Sequence, residues 1–407
     1  MKRILVICPF DDIYPPTNGG MKRCFHIIDQ LASHFELTVI INQKKEDFLE
    51  AVTEFPAIKK VTVYSTRDGK KPKDVFIMLP LKLQKALRFR WYKKNIKGPA
   101  DDNFLLYYLI LKKLLKEKAF DVIVLESMAL NAMSLIRKYN GKAKIIYNAH
   151  NVDTNLARAF MAKKEITEKE FWEIKNSESS LYNKMDAIFC CSKKDKNDFD
   201  LLNNGKLLIS VIPNGIVIPE KLYSDGVNEK NPQFILFCGI LSTLPNAEGL
   251  HWFCQNIWPA IKKSFPDLKL LVVGGGTLNR KYSSDTSDAS IIFSGRVPDV
   301  KEWYNKAAVS VVPLLTGSGT RLKILEAMAM GVPVLSTSKG AEGIEYSDKK
   351  NIVISNDAAE FADKLSKLLS DKQQRMDIAV AARKLVKEKY DWNVIGTSMA
   401  NFLNHEV

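Results

Sequence analysis

The chain lacks any apolar run approaching the roughly 18 to 20 residues that span a bilayer. Its first residues, Met1-Lys2-Arg3-Ile4-Leu5-Val6-Ile7-Cys8-Pro9-Phe10, are too short in apolar residues for a secretory signal, so a cytoplasmic protein is expected. Six cysteines occur, but with no C-x-x-C pair and no zinc spacing. Cys8, Cys24, Cys190, Cys191, Cys238 and Cys254 therefore read as reduced packing residues, four of them in or beside apolar strand-like runs. There is no fixed-period repeat, no low-complexity segment and no G-x-x-x-x-G-K-[ST] loop, which excludes solenoids, disordered tracts and P-loop nucleotidases.

What is present fits two packed cores: 407 residues, 46% hydrophobic and 26% charged. Basic residues number 60 against 46 acidic, an excess of +14 that invites nucleic acid, an anionic membrane surface or a phosphorylated substrate. The excess is uneven. Residues 1–220 hold 37 basic against 26 acidic, the rest 23 against 20, and residues 70–118 alone 14 against 4.

Short β-branched or apolar runs alternate with longer stretches of helical period, the signature of β-α units and parallel sheets. In the first half the strand candidates are 4–8, 37–41, 61–63, 122–125, 145–148, 187–190 and 208–212. Residues 213–232, rich in Pro, Gly and charge without an apolar face, read as a linker. The alternation then resumes at 234–238, 268–273, 291–293, 309–312, 332–335 and 352–354, with helices expected over 357–370, 372–389 and 391–404. The expected fold class is α/β, with two Rossmann-like doubly wound domains facing across a cleft.

The densest chemical signal runs from Pro313 to Val334: a strand ends, Thr316-Gly317-Ser318-Gly319 turns, and a helix starts near Thr320. Bare N–H groups and the positive dipole end at such a start favour a phosphate, and Arg321 and Lys323 add charge. Glu326 on that helix suits ribose hydroxyls, or else it pairs with a basic neighbour and the loop is a plain turn. His150 follows the strand ending at Asn148, and Asn18-Gly19-Gly20 precedes a helix over 21–34; either feature can serve a ligand or only the fold.

The segment FSGRVPDVKEWYNKAAVSVVPLLTGSGTRLKILEAMAMGVPV, residues 293–334, resembles the donor-binding core of the retaining family 4 glycosyltransferases of the GT-B fold. The resemblance extends to FCGILSTLPNAEGLHWF at 237–253, VIPNG at 211–215, YNAHN at 147–151 and Asn18-Gly19-Gly20, in the family's order. It implies an acceptor-binding domain over 1–217, a donor-binding domain over 218–390 and a final helix, 391–407, packing back on the first. Glu326 matches the second glutamate of the family's E-x7-E element, which binds the nucleotide ribose. The first glutamate falls on Ser318, so the backbone around Gly317, Ser318 and Gly319, or the Ser318 hydroxyl, must hold the sugar. Relatives carry an Arg after the glycine matching Gly239 and a Lys six positions on, where this chain has Ile240 and Asn246. Arg321 and Lys323 are the cations expected to compensate. The resemblance also places Asn18, Gly19 and Gly20 at the donor phosphates and acceptor, His150 at the donor sugar, and Arg296 and Val297 at the base.

It implies a nucleotide-sugar donor, a saccharide or lipid-linked saccharide acceptor, and no cofactor or metal; no D-x-D motif stands near the donor residues. Bacterial surface polysaccharide or glycolipid synthesis is the expected setting. The alternatives are a GT-B-type sugar-nucleotide epimerase and a non-enzymatic nucleic-acid-binding protein, the latter motivated only by net charge and lacking a recognition motif. Residues 70–118 interleave Lys82, Lys85, Arg88, Arg90, Lys93, Lys94 and Lys97 with Leu79, Leu81, Leu83, Leu87, Phe89, Trp91 and Tyr92. That mixture suits either an interfacial helix on anionic lipid, at the inner face of the plasma membrane, or a solvated helix with its apolar stripe in the core. On the first reading the protein co-sediments with vesicles in proportion to their anionic lipid; sedimentation indifferent to lipid charge refutes it.

Overall fold

Strands 122–126, 187–190 and 309–312 are buried at every position, so their sequences are largely apolar rather than alternating. The computed structural model describes residues 1–16, 18–68, 101–126, 132–162, 164, 166–182, 184–220, 225–278, 288–317 and 321–407. Seven strands form the first sheet: β1 (Arg3–Asp11), β2 (Glu36–Asn42), β3 (Thr62–Ser65), β4 (Val122–Glu126), β5 (Lys144–Asn148), β6 (Ala187–Cys190) and β7 (Leu208–Val211). Their order is β3-β2-β1-β4-β5-β6-β7, and every pair is parallel. Six form the second: β8 (Phe234–Cys238), β9 (Lys269–Val273), β10 (Ile291–Gly295), β11 (Val309–Val312), β12 (Val334–Ser336) and β13 (Val353–Ile354). These run β10-β9-β8-β11-β12-β13, again all parallel.

In both sheets the chain works outward from a central strand and then crosses back to the other side of it. The reversal falls between β1 and β4 in the first sheet and between β8 and β11 in the second. At such a switch point the connections leave in opposite directions, and a crevice opens at the carboxyl ends of the strands, where ligands bind in open α/β sheets. The fold thus marks two places to inspect: the residues after β1 and β4, and those after β8 and β11.

The chain divides into two compact units. Unit 1 comprises Met1–Cys190, Asp195–Ile212 and Gly396–Val407; unit 2 comprises Cys191–Lys194 and Pro213–Ile395. The final helix, Trp392–His405, begins in unit 2 and ends in unit 1, where Lys2 donates to the Leu403 carbonyl at 2.5 Å and Phe402 meets the Phe189 ring edge-on at 5.6 Å. No disulfide joins any of the six cysteines, five of which are buried.

Residues 213–220 and 225–232 do not behave as a bare linker. The buried Arg383 guanidinium donates to the Pro219 carbonyl at 2.6 Å, and Arg375, 0% exposed, donates to the carbonyls of Val227, Glu229, Leu368 and Leu369. Two arginines satisfying main-chain oxygens tie this stretch to unit 2, with no need of the apolar periodicity that a packed segment ordinarily shows.

In the basic stretch, helix Asp101–Glu117 turns Leu111, Leu114 and Leu115 into the core of unit 1. Truncating one such leucine to alanine costs about 2–5 kcal/mol. This end of the stretch is therefore an ordinary core-facing amphipathic helix; residues 69–100, which carry most of the lipid-docking expectation, lie outside the described residues. Among the described residues no helix is long and apolar enough to cross a membrane.

Candidate functional site

In unit 2, Gly239, Gly317, Arg321, Lys323 and Glu326 lie on the segments that follow β8 and β11 at the switch point. Gly239 follows β8, residues 313–317 follow β11, and Arg321 stands at the N-cap of helix Leu322–Ala329. A Cβ on Gly239 would lie 2.7 Å from both Lys323 Nζ and Asn246 Nδ2, so only glycine lets the amine come this close to the backbone. Lys323 Nζ donates to Asn246 Oδ1 at 2.7 Å and sits over the Phe237 ring, 5.1 Å from its centroid. Asn246 is held in turn, its Nδ2 donating to the Ile240 carbonyl and to Thr243 Oγ1, each at 2.9 Å. Asn246 is thus the seat of a lysine that comes from the far side of the switch point.

Among the described residues no carboxylate comes within ion-pair distance of Lys323. Burial lowers its ammonium from 10.5 to about 8, with Cys238 opposing, the Arg321 charge adding to the fall and Glu326 opposing. The Arg321 guanidinium is lowered too, by burial first and against the pull of Glu342. Arg321 Nη2 lies 3.4 Å from the Thr316 carbonyl, and Gly317 between them has φ +101°, a left-handed conformation that glycine adopts without strain. The loop is anchored from the other side by Thr316 Oγ1, which donates to Glu248 at 2.6 Å.

Glu326 is half-buried beside the Tyr304 hydroxyl, which donates to the Lys323 carbonyl at 3.2 Å. Burial first, then Cys238 and Glu326, raise the Tyr304 phenol well above its ordinary value, so it remains a neutral hydrogen-bonding group. Arg296 and Val297 follow β10 at the edge of the sheet, Arg296 exposed and its Cβ 3.4 Å from where a Cβ on Gly275 would stand. Ser318, Gly319 and Thr320 lie outside the described residues.

In unit 1 the Asn18 side chain caps helix Gly19–His34, accepting from the Met21 N–H at 3.0 Å, an interaction worth about 1 kcal/mol. A Cβ on Gly20 would lie 3.2 Å from His150 Nδ1, so the glycine turn and the histidine are brought together. His150 also stacks on Phe10, with ring centroids 5.4 Å apart. Its Nε2 lies 3.0 Å from Oε2 of Glu126, the last residue of β4 and 0% exposed. Sequence reasoning passed over Glu126, and with it Arg23 and Cys24; the available signal was a single acid closing an otherwise apolar strand, Val-Ile-Val-Leu-Glu. Cys24, Glu126 and His150 also form one group of metal-ligating side chains, their ligand atoms within 4.8 Å of one another. The contacts inside this group are hydrogen-bond distances.

Comparison with known proteins decides the class. Residues 232–371 match the family model described as Glycosyl transferases group 1, and residues 17–218 match Glycosyltransferase Family 4. The chain is a family 4 glycosyltransferase. This match favours the transferase over the epimerase and the nucleic-acid-binding protein. An uncharacterised 44.6 kDa protein in the cps region of Klebsiella pneumoniae is 25% identical to the transferase over 415 residues, covering 98% of this chain and 99% of its own. The Staphylococcus aureus capsular polysaccharide biosynthesis glycosyltransferase CapM is 27% identical over 183 residues, 43% of this chain and 47% of CapM. Anabaena HepE, crystallised with UDP and glucose, shares the GT-B fold over 100% of both chains, with a TM-score of 0.64 and 16% identity.

The depressed Lys323 ammonium has a signed consequence for stability. Between pH 8 and 10.5 the unfolded transferase keeps a proton that the folded one has released, so the free energy of unfolding gains an upward slope in that window. Urea denaturation of wild type and Lys323→Met should show the stability difference moving toward wild type as pH rises from about 7.5 to 10; a difference independent of pH contradicts the assignment.

Proposed function

We propose that the transferase moves a sugar from a nucleoside-diphosphate sugar to a saccharide or lipid-linked saccharide, with retention of anomeric configuration and without a metal ion. The observation that carries this reading is the Lys323 ammonium seated between Gly239 and Asn246, bonded to an amide oxygen and poised over an aromatic ring, with no carboxylate within ion-pair distance among the described residues. A cation held at a helix start beside a glycine turn is suited to the one group that every nucleotide-sugar donor shares, the diphosphate. The HepE complex with UDP and glucose and the role named for CapM support the donor class and a setting in polysaccharide or glycolipid synthesis.

The roles follow from the chemistry of each group. Lys323 and Arg321 stabilise the charge that grows on the diphosphate as the bond from its oxygen to the sugar's anomeric carbon breaks. Glu326 accepts from the ribose hydroxyls. Backbone N–H groups of Gly317, Ser318 and Gly319, or the Ser318 hydroxyl, hold the sugar, Thr320 contributes to donor binding, and main-chain atoms at Arg296 and Val297 meet the base. In unit 1, Asn18, Gly19 and Gly20 attend the phosphates and acceptor, and His150 attends the sugar. The acceptor oxygen bonds to the anomeric carbon from the face the diphosphate leaves, and its proton passes to a departing phosphate oxygen. The work takes place in the cytoplasm, at the anionic inner face of the plasma membrane.

A panel of UDP-, GDP- and dTDP-sugars, each tested with and without chelator, identifies the donor and tests the metal-free step. Arg321→Ala and Lys323→Ala should each lower turnover about 100-fold or more while the protein stays folded, as loss of a preorganised charge-stabilising group does. Unchanged turnover in both variants, or transfer abolished by chelator, overturns the reading.

A further inference from the structure

His150 is the outer end of a chain of buried polar side chains. Arg23, 1% exposed on helix Gly19–His34, donates from Nε and Nη2 to Asn148 Oδ1 at 3.2 and 2.7 Å, and from Nη1 to the Ile212 carbonyl at 2.7 Å. Asn148 Nδ2 donates to Glu126 Oε1 at 2.8 Å and Oε2 at 2.9 Å. Cys24 Sγ donates to Oε2 at 3.2 Å, and His150 Nε2 lies 3.0 Å from the same oxygen. Glu126 and Asn148 are direct partners in the β4–β5 register, which sets the carboxylate and the amide side by side at the carboxyl ends of the strands next to the switch point.

The donor and acceptor inventory fixes the direction of the last bond. An ionised carboxylate only accepts, and Glu126 is kept ionised: burial pushes its carboxyl up, but His150, Asn148 and Cys24 outweigh that and hold it below its ordinary value. His150 Nε2 must therefore carry a hydrogen toward Glu126. Nδ1 then becomes the ring nitrogen on the side of Gly20, where a Cβ would stand only 3.2 Å away.

We propose that Glu126 is a positioning residue for sugar transfer, holding the His150 ring by its Nε2–H so that Nδ1 is the nitrogen presented beside the Asn18–Gly20 turn. This rests on the reading that His150 attends the donor sugar. Glu126 itself touches no substrate; a carboxylate with no exposed surface has its acceptor sites filled by Asn148, Cys24 and His150. A zinc ion bound by Cys24, Glu126 and His150 is the competing account of the same cluster. Two features stand against it: the Asn148 amide occupies both carboxylate oxygens, and burial raises the Cys24 thiol well above its ordinary value, with Cys8 and Glu126 adding to the rise.

The test is a double-mutant cycle on the full chain, with Glu126→Gln, His150→Ala and the double variant assayed for turnover of the donor found in the nucleotide-sugar panel. Glu126→Gln should lower kcat by up to about 100-fold, as a small misplacement of a reacting group does, with donor KM within about twofold. In the His150→Ala background the same change should lower kcat less than about twofold. If His150→Ala leaves kcat unchanged, the reading of His150 fails and takes the proposal with it. If His150→Ala is impaired but Glu126→Gln costs as much in that background as in wild type, the proposal alone fails. Should Glu126→Gln not fold, the 15N shifts of the wild-type His150 ring at alkaline pH decide: a protonated Nε2 with a bare Nδ1 supports the proposal, and the opposite tautomer overturns it. Stoichiometric zinc retained through purification and lost in Cys24→Ser also overturns it.

Discussion

The Lys323 ammonium lies 2.7 Å from where a Cβ on Gly239 would stand, hydrogen-bonded to Asn246 and poised over the Phe237 ring. Taking an ammonium out of water is unfavourable, and burial accordingly draws its protonation down to about 8. The rest of the unit 2 site is arranged around this placement. β8 brings Gly239 to the switch point, β11 delivers the loop that turns at Gly317, and helix Leu322–Ala329 carries Lys323 and Glu326 on consecutive turns. An anion bound there would restore the solvation that the folded chain gave up, and more so as negative charge grew on a leaving group. That difference between ground state and transition state is what accelerates a reaction.

Unit 1 meets a related problem with the opposite sign. Glu126 is a carboxylate without solvent, and its charge is balanced at one remove: the Asn148 amide turns its oxygen to Arg23 and its NH2 group to Glu126. An isolated buried charge would cost far more than a domain's net stability, whereas one whose acceptor sites are filled by donors is tolerated. The two units thus place charge at corresponding switch points of similarly wound sheets. Unit 2 seats a cation beside a glycine, and unit 1 seats an anion beside a histidine ring.

The architecture was legible because β-branched runs covered on both faces announce themselves without any partner information, and all thirteen strand candidates coincide with strands to within a few residues. Lys323 and Glu326 were legible as candidates from the loop and helix that bear them. The seating of Lys323 on Asn246 was not, since it joins residues 77 positions apart through a fold that the sequence does not spell out. Glu126 escaped for a similar reason: one acid at the end of an apolar strand has no meaning until β5 brings Asn148 and His150 beside it. Residues 213–232 misled in the other direction, because segments held by arginine contacts to their carbonyls carry no hydrophobic period. Net charge was the least informative quantity of all, for the unit 2 site rests on two cations within a nearly neutral half.

The central claim is that Lys323, seated against Gly239, binds the diphosphate of a nucleotide sugar. Its most direct test is a crystal structure of the chain with an intact nucleoside-diphosphate sugar. Diphosphate oxygens are expected within hydrogen-bond distance of Lys323 Nζ and the Arg321 guanidinium, with the ribose hydroxyls on Glu326. A nucleotide bound away from the β8–β11 switch point, or phosphates held by a metal ion with Lys323 still turned to Asn246, would contradict it.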